Sequence, residues 1–444
     1  MRLALAAIAV TVSGSVALAQ TSATDSLIDK LVQKGILTTA EAKQLREEAA
    51  KEAAKNTSQF KNALPDWVTA IKLSGDFRGR YEGQWSDNDA AHERDRFRYR
   101  LRLGATVSFL ENYEVGMRLT SADSVKDFSN STGNPLSGSS TFQDDGSKKF
   151  VYIDLAYAKW KALDGPTWNG VLTFGKMENP FAVSYSVFDP DYTPEGLAWQ
   201  GAYNFNEHHA LKLNLGGFVL DEVSTSTSDP YLVGGQIIWD AKWNEQWQTS
   251  LGVALMKITS QQNLTNGAVP NVNTGNTRTG STGVPAESFS PVITDGSVTY
   301  TLDSFPAYHG PFPIKVSGEY LNNTGANSKN IAYMAGVTLG KAGKKGLWEI
   351  GYQYRYVEAD SWYEELPDDD FGGYYQAPLP HSGFSSGGYV GGTNVRGHII
   401  RALYSPYNFL TLGVTFYDVS LIDSSPSGSK SNAGHIFVDA LLRF

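Results

Sequence analysis

The chain has no cysteine at any of its 444 positions. That excludes a disulfide framework, a thiol nucleophile and a thiolate metal site. No segment is apolar enough to cross a bilayer as a helix, which takes roughly 20 apolar residues. A surplus of positive charge is missing too: 37 Lys and Arg face 46 Asp and Glu, a net charge of −9, and this argues against nucleic acid as a partner. No glycine motif that cradles phosphate is present. What the chain does have is glycine (44) and aromatics, with 23 Tyr, 21 Phe and 10 Trp.

The N-terminus carries one early positive charge, Arg2, then an apolar run from Leu3 to Val12, and ends in Ala17-Leu18-Ala19 before Gln20. This is the secretory pattern, with cleavage expected after Ala19. Residues 24–55 then read as two helices, about 24–34 and 39–55. Leu27, Ile28, Leu31 and Val32 share a helical face, Gly35 suits a C-cap, and Thr38 stands three before Glu41 as in a capping box. They make either a solvated spacer or a periplasmic segment supporting oligomerisation; the apolar pattern is too short to decide for a coiled coil. Residues 56–68 read as a linker, so the expected domains are a signal at 1–19, a periplasmic helical segment at 20–68 and the remainder at 69–444.

From Ile71 onward the period changes to two. The strongest case is Arg94 to Val107: Arg94, Arg96, Arg98, Arg100 and Arg102 alternate with Phe97, Tyr99, Leu101, Leu103, Ala105 and Val107. Side chains of a strand point to opposite faces in turn, so one face is a guanidinium ladder and the other is greasy. Ile71–Tyr81 and Tyr113–Leu119 alternate likewise. Further strands are expected at 149–160, 168–177, 196–205, 209–220, 231–243, 247–258, 296–303, 312–321, 331–341, 346–358, 395–405, 408–418 and 434–444. That is about sixteen, many near the length of ~9–11 residues that a tilted strand needs to cross a membrane.

The connections alternate. Short ones lie near 109–112, 161–167, 206–208, 244–246, 304–311, 342–345 and 406–407; long ones lie near 84–93, 124–148, 178–195, 221–230, 259–295, 359–394 and 420–433. The connection near 322–330 is short for its class. Short turns at one end and long loops at the other are the plan of an outer-membrane β-barrel. Trp160, Trp168, Trp243, Trp247 and Trp348 all stand beside short turns, where an aromatic girdle belongs. Ile436, Val438, Ala440, Leu442 and Phe444 share one face of the last strand. The fold class expected is therefore all-β, a transmembrane antiparallel barrel of about sixteen strands with a short N-terminal helical segment, located in the cell outer membrane. A secreted sandwich would not be expected to gather its Trp at turns of one side.

Four stretches carry a resemblance: Ser74-Gly75-Asp76-Phe77-Arg78-Gly79-Arg80-Tyr81, Arg94-Asp95-Arg96-Phe97-Arg98-Tyr99-Arg100, Phe174-Gly175-Lys176-Met177-Glu178-Asn179-Pro180-Phe181 and Asp189-Pro190-Asp191-Tyr192-Thr193-Pro194-Glu195-Gly196. The chain resembles the putative porins of Gram-negative outer membranes, and less closely the phosphate-selective porins. The resemblance implies contact with outer-membrane lipid and lipopolysaccharide, small hydrophilic solutes as cargo, and a homotrimer.

If the odd positions of the first three strands face lipid, the lumen holds nine cations, Lys72, Arg78, Arg80, Arg94, Arg96, Arg98, Arg100, Arg102 and Arg118, against Asp76, Glu82 and Glu114. Acids from elsewhere could instead neutralise this ladder, leaving it to brace the wall. Lipid-facing Arg costs ~2–4 kcal/mol near the midplane, which enforces the orientation. In general porins the loop after the fifth strand enters the barrel. If that carries over, Glu178, Asp189, Asp191 and Glu195 become constriction acids facing the ladder, on a loop stiffened by Pro180, Pro190 and Pro194, and a transverse field filters by charge.

Enzyme readings are poor. Ser427 and Lys430 have the Ser-x-x-Lys spacing but stand alone, His208-His209 lacks metal-ligand spacing, and Glu364, Glu365 and Asp368 to Asp370 read better as a solvated loop than as a calcium site. No catalytic residue, metal or cofactor is expected. The expected function is a water-filled channel for passive diffusion, with a modest anion preference. The alternative is a non-conducting barrel that anchors surface loops as a structural protein or adhesin.

Overall fold

The computed structural model describes residues 64–88, 92–123, 136–265, 273–375, 388–424 and 432–444, with Ala42, Leu379 and His381. The signal at 1–19 and both expected helices lie outside the described residues, Ala42 apart. By compactness the chain divides into two units. One comprises 1–73 with 105–114; the other comprises Ser74–Gly104 with Val115–Phe444.

Among the described residues there are sixteen long antiparallel strands: β1 Val68–Ser86, β2 Arg94–Phe109, β3 Tyr113–Ala122, β4 Phe150–Asp164, β5 Trp168–Lys176, β6 Glu195–Asn204, β7 His209–Val219, β8 Tyr231–Lys242, β9 Trp247–Ile258, β10 Pro291–Leu302, β11 Phe312–Asn323, β12 Ile331–Gly340, β13 Leu347–Val357, β14 Val395–Tyr407, β15 Leu410–Leu421 and β16 Ala433–Arg443. Each pairs with the next. The last returns to the first, from Asp76↔Arg443 to Ser86↔Ala433, and closes the barrel. Closure removes the sheet edges that lipid could not satisfy.

In the smaller unit the β2–β3 turn is fastened by the Leu110 N–H, which donates to the Trp67 carbonyl at 3.0 Å, and Trp67 packs against Phe109 with centroids 5.3 Å apart. Lys72 and Glu114 belong to this unit.

The alternation read from the sequence sets the outer face. Phe97 is 60% exposed and Leu103 48%. On β9, Leu251, Val253 and Leu255 are exposed, while Gly252, Ala254 and Met256 between them are buried. Trp168 packs against Tyr203 and Trp247 against Tyr300, with ring centroids 4.5 and 4.6 Å apart, next to short turns. The connection after β11 is 324–330, short but on the long-loop side, where Asn323 ties it down by donating to the Ser288 and Asp360 carbonyls.

Several strand bounds differ from the expectation: β1, expected at Ile71–Tyr81, covers Val68–Ser86 and takes in part of the expected long connection near 84–93. β10 begins at Pro291 rather than 296, since a first strand residue needs no ladder N–H. β4 runs on to Asp164 through a register shift between Lys161 and Leu163. A short piece, Ser140–Thr141, within the expected connection near 124–148, pairs with β2 at Tyr99 and Arg98.

Single cysteines test the facing directly, because the chain supplies none of its own. In intact outer membrane a charged thiol reagent should label Arg102→Cys and leave Leu101→Cys and Leu103→Cys unlabelled. Equal labelling of all three would overturn the facing.

Candidate constriction site

The loop joining β5 to β6, residues 177–194, leaves the wall between two glycines that face each other, Gly175 and Gly196. Gly175 has φ of +115°, and a Cβ there would lie 2.3 Å from the Ala156 carbonyl oxygen. A side chain at this root is excluded both by conformation and by space.

Beyond the root, the loop is held by inward-facing residues of distant strands. Asn179 Oδ1 accepts from the Phe181 N–H at 3.0 Å, a local turn at Pro180. Gln236 of β8 both accepts from the Ala182 N–H and donates to its carbonyl, each at 2.9 Å. Glu319 of β11 accepts from the Ser184 N–H at 2.7 Å and from its hydroxyl at 2.5 Å. Phe181 fills a notch over Gly216 and Gly234, which are paired across β7 and β8; a Cβ at Gly234 would stand 2.9 Å from its ring. The loop therefore lies within the barrel, against its inner wall.

The two ends of the loop reach the guanidinium ladder. Asp191 accepts from Arg100 at 2.9 Å, and Glu178 pairs with Arg118. Asp189 and Glu195 go elsewhere. Asp189 is buried toward another loop, and Glu195, mostly exposed at the start of β6, accepts from Lys176 at 3.1 Å.

The ladder itself is densely paired. Arg80 binds Asp439 of β16 at 2.8 Å and lies 3.6 Å from Asp370. Arg96 and Arg98 share Glu82, Arg100 and Arg102 share Asp76, and Arg118 also meets Asp154. Seven carboxylates thus meet six of the eight ladder guanidiniums (Asp76, Glu82, Asp154, Glu178, Asp191, Asp370 and Asp439). Arg78, which donates to the Ser139 hydroxyl at 2.8 Å, and Arg94, at the exposed start of β2, have no carboxylate partner among the described residues. The surplus of six positive charges counted on the first three strands has shrunk, because Asp154, Asp439 and the loops bring acids from far along the chain.

A second loop joins β13 to β14, and its stretch 358–375 packs on the first. Trp362 Nε1 donates to the Val187 carbonyl at 2.9 Å, the Asp189 N–H to the Leu366 carbonyl at 2.6 Å, and the Asp368 N–H to the Tyr185 carbonyl at 3.0 Å. Val187, Phe188, Phe289, Trp362, Leu366 and Phe371 form an apolar junction with inward residues of the strands, among them Phe218, Met256 and Ile293. A third loop joins β9 to β10, and its stretch 273–290 is locked to the second by Arg278 and Glu364, an ion pair with both side chains fully buried. Arg355 of β13 binds Asp368 at 2.7 Å. Glu364 and Asp368 thus have cation partners inside the protein.

Gln236, Glu319, Arg355 and Arg278 escaped the sequence reading. Glu319 and Gln236 do sit at inward positions of their strands, but nothing in one sequence says which inward polar groups meet a loop.

Residues 86–287, a little under half of the chain, match the family model described as putative porin. No curated protein matches the sequence. Similar solved structures include the high-pH structure of OprB from Pseudomonas putida (13% identical, covering 84% of this chain and 94% of that one, TM-score 0.49). Others are the outer membrane channel DcaP of Acinetobacter baumannii (14%, 84% and 97%, 0.43) and outer-membrane expressed OmpT of Vibrio cholerae (10%, 86% and 99%, 0.42).

Proposed function

Proceeding from a closed outer-membrane barrel with a putative-porin match, we propose that the protein is a narrow, water-filled channel for passive diffusion of small hydrophilic solutes, and not an enzyme. The observation that carries this reading is the loop 177–194, drawn inside the wall and ion-paired to the ladder at Arg100 and Arg118. A loop in that place reduces the cross-section and lines it with fixed charge, which is how a pore selects. Within the ladder, Arg78 and Arg94 have no carboxylate partner among the described residues, so the anion preference is modest. Contact with lipopolysaccharide and assembly as a homotrimer belong to the same reading.

The apolar junction between the loops favours small conductance, and it is the feature that supports the alternative of a non-conducting anchor. Reconstitution into a planar bilayer separates the two. Small stepwise conductances are expected; silence across many insertions would establish the anchor.

A further inference from the structure

We infer that the contact between the loop 177–194 and the loop 358–394 is a proton-operated latch, centred on the carboxyl groups of Asp189 and Asp369, that narrows the channel in acid and releases it as pH rises. The inference rests on the channel reading for its consequence, but not for the latch itself.

Its basis is geometric. Asp189 and Asp369 come from different loops, and one carboxylate oxygen from each of Asp189, Asp368 and Asp369 lies within 4.8 Å of the other two. The Asp369 N–H donates to Asp189 Oδ2 at 3.3 Å, and the Asp191 N–H to Asp189 Oδ1 at 2.6 Å. These contacts sit among the backbone bonds that lace the two loops, from Asp189 to Leu366 and from Asp368 to Tyr185. Two ionised carboxylates cannot share such a space in a poorly solvated site, whereas a proton between them turns repulsion into a hydrogen bond.

The surrounding charges do not cancel this. Arg355 of β13 faces the cluster but is bonded to Asp368. Arg100 of β2 is engaged by Asp191 and Asp76. Arg80 of β1 lies 3.6 Å from Asp370 and is bonded to Asp439; Arg78 and Glu82 of β1 act on Asp370 from further off, and His435 of β16 meets its backbone. Tyr417 of β15 faces Asp368 and Asp370. Asp189 has no cation within ion-pair distance among the described residues.

Burial first, then the neighbouring carboxylates, holds Asp189 and Asp369 well above the ordinary carboxylate range. Burial likewise raises Asp370, to about 6. The sign follows. Groups whose pKa is raised in the closed arrangement stabilise it fully at pH below the ordinary value of about 4. That stabilisation is lost as pH climbs through the raised values, and within that window each group changes the open-to-closed ratio by up to ~10-fold per pH unit.

Two readouts test this in the full chain. The first is conductance in a planar bilayer between pH 4 and 8. The native channel should open to a larger conductance as pH rises, and D189N/D369N should stay at the acid-like level throughout. The second needs no conduction: Val187→Cys, buried in the junction, is labelled by a thiol reagent in both backgrounds, and the ratio at each pH removes the thiol's own ionisation. Labelling should rise with pH ~10-fold or more in the native background relative to D189N/D369N. A ratio that stays constant, or a double variant that keeps the native pH response, overturns the latch. Silence in the bilayer together with a rising ratio would sink the channel reading and leave the latch standing.

Discussion

Replacing Arg96, Arg98 and Arg100 together by Ser is expected to move the zero-current potential in a salt gradient strongly toward cation selectivity. Those three side chains are bonded to Glu82, Asp76 and Asp191, and the acids remain when the arginines go. A patch where charges nearly balance thus becomes acidic rather than merely less basic. At physiological ionic strength the Debye length is about 8 Å, so carboxylates at the lumen wall act across a narrow path, and the shift should shrink at high salt. Glu82 is 1% exposed, and stranding a buried carboxylate costs on the order of a few kcal/mol. Adding Glu82→Gln should restore stability and return part of the potential. An unchanged potential in the folded triple variant would show that the ladder does not border the conducting path.

The same ladder shows how far the sequence could be read. Alternation from Arg94 to Val107 fixed the facing of β2, since period two admits a single division of side chains between two faces. Strand number and the order of long and short connections were legible too, because turn residues and aromatics mark the ends. The charge balance was not. Asp439, which binds Arg80, lies 359 residues away in sequence, and it reaches Arg80 only because β16 closes on β1.

The apolar junction was equally hidden. Ala254, Met256 and Ile258 occupy the inward face of β9 and are buried, although a water-filled barrel predicts polar residues there. They are apolar because loops cover them. A single sequence shows which loops are long, but not that Trp362 and Phe289, on separate loops, meet edge to face at 6.3 Å. The loop 177–194 falls between these cases. Its position after the fifth strand and its prolines could be read, and Glu178 and Asp191 do reach the ladder. The turning of Asp189 toward Asp369 depended on a second loop whose path one sequence does not disclose.

The other large effect is expected where two outer loops are locked together. Arg278 Nε donates to Glu364 Oε1 at 2.7 Å, and its Nη1 donates to the carbonyls of Leu264 and Gly283 at 3.0 and 2.6 Å. Glu364 also accepts from the Asn276 N–H at 2.5 Å. The charge of each member is met by its partner inside the protein, because both side chains are sealed from solvent. Glu364→Ala leaves a guanidinium buried with two carbonyls and no ion-pair partner, and breaking such a pair from one side costs ~3–5 kcal/mol. The barrel should survive, since β13 and β14 remain paired along their length, from Leu347↔Ser405 to Val357↔Val395. The loss falls on the junction of 259–290 with 358–394. Protease added to intact cells should cut those two loops at least tenfold faster than in the native protein, while heat-modified mobility of the barrel stays the same. Arg278→Met combined with Glu364→Leu should recover much of the resistance, because an apolar pair of similar volume leaves no charge without a partner. Equal cutting rates for the native protein and Glu364→Ala would mean that the pair does not hold the loops.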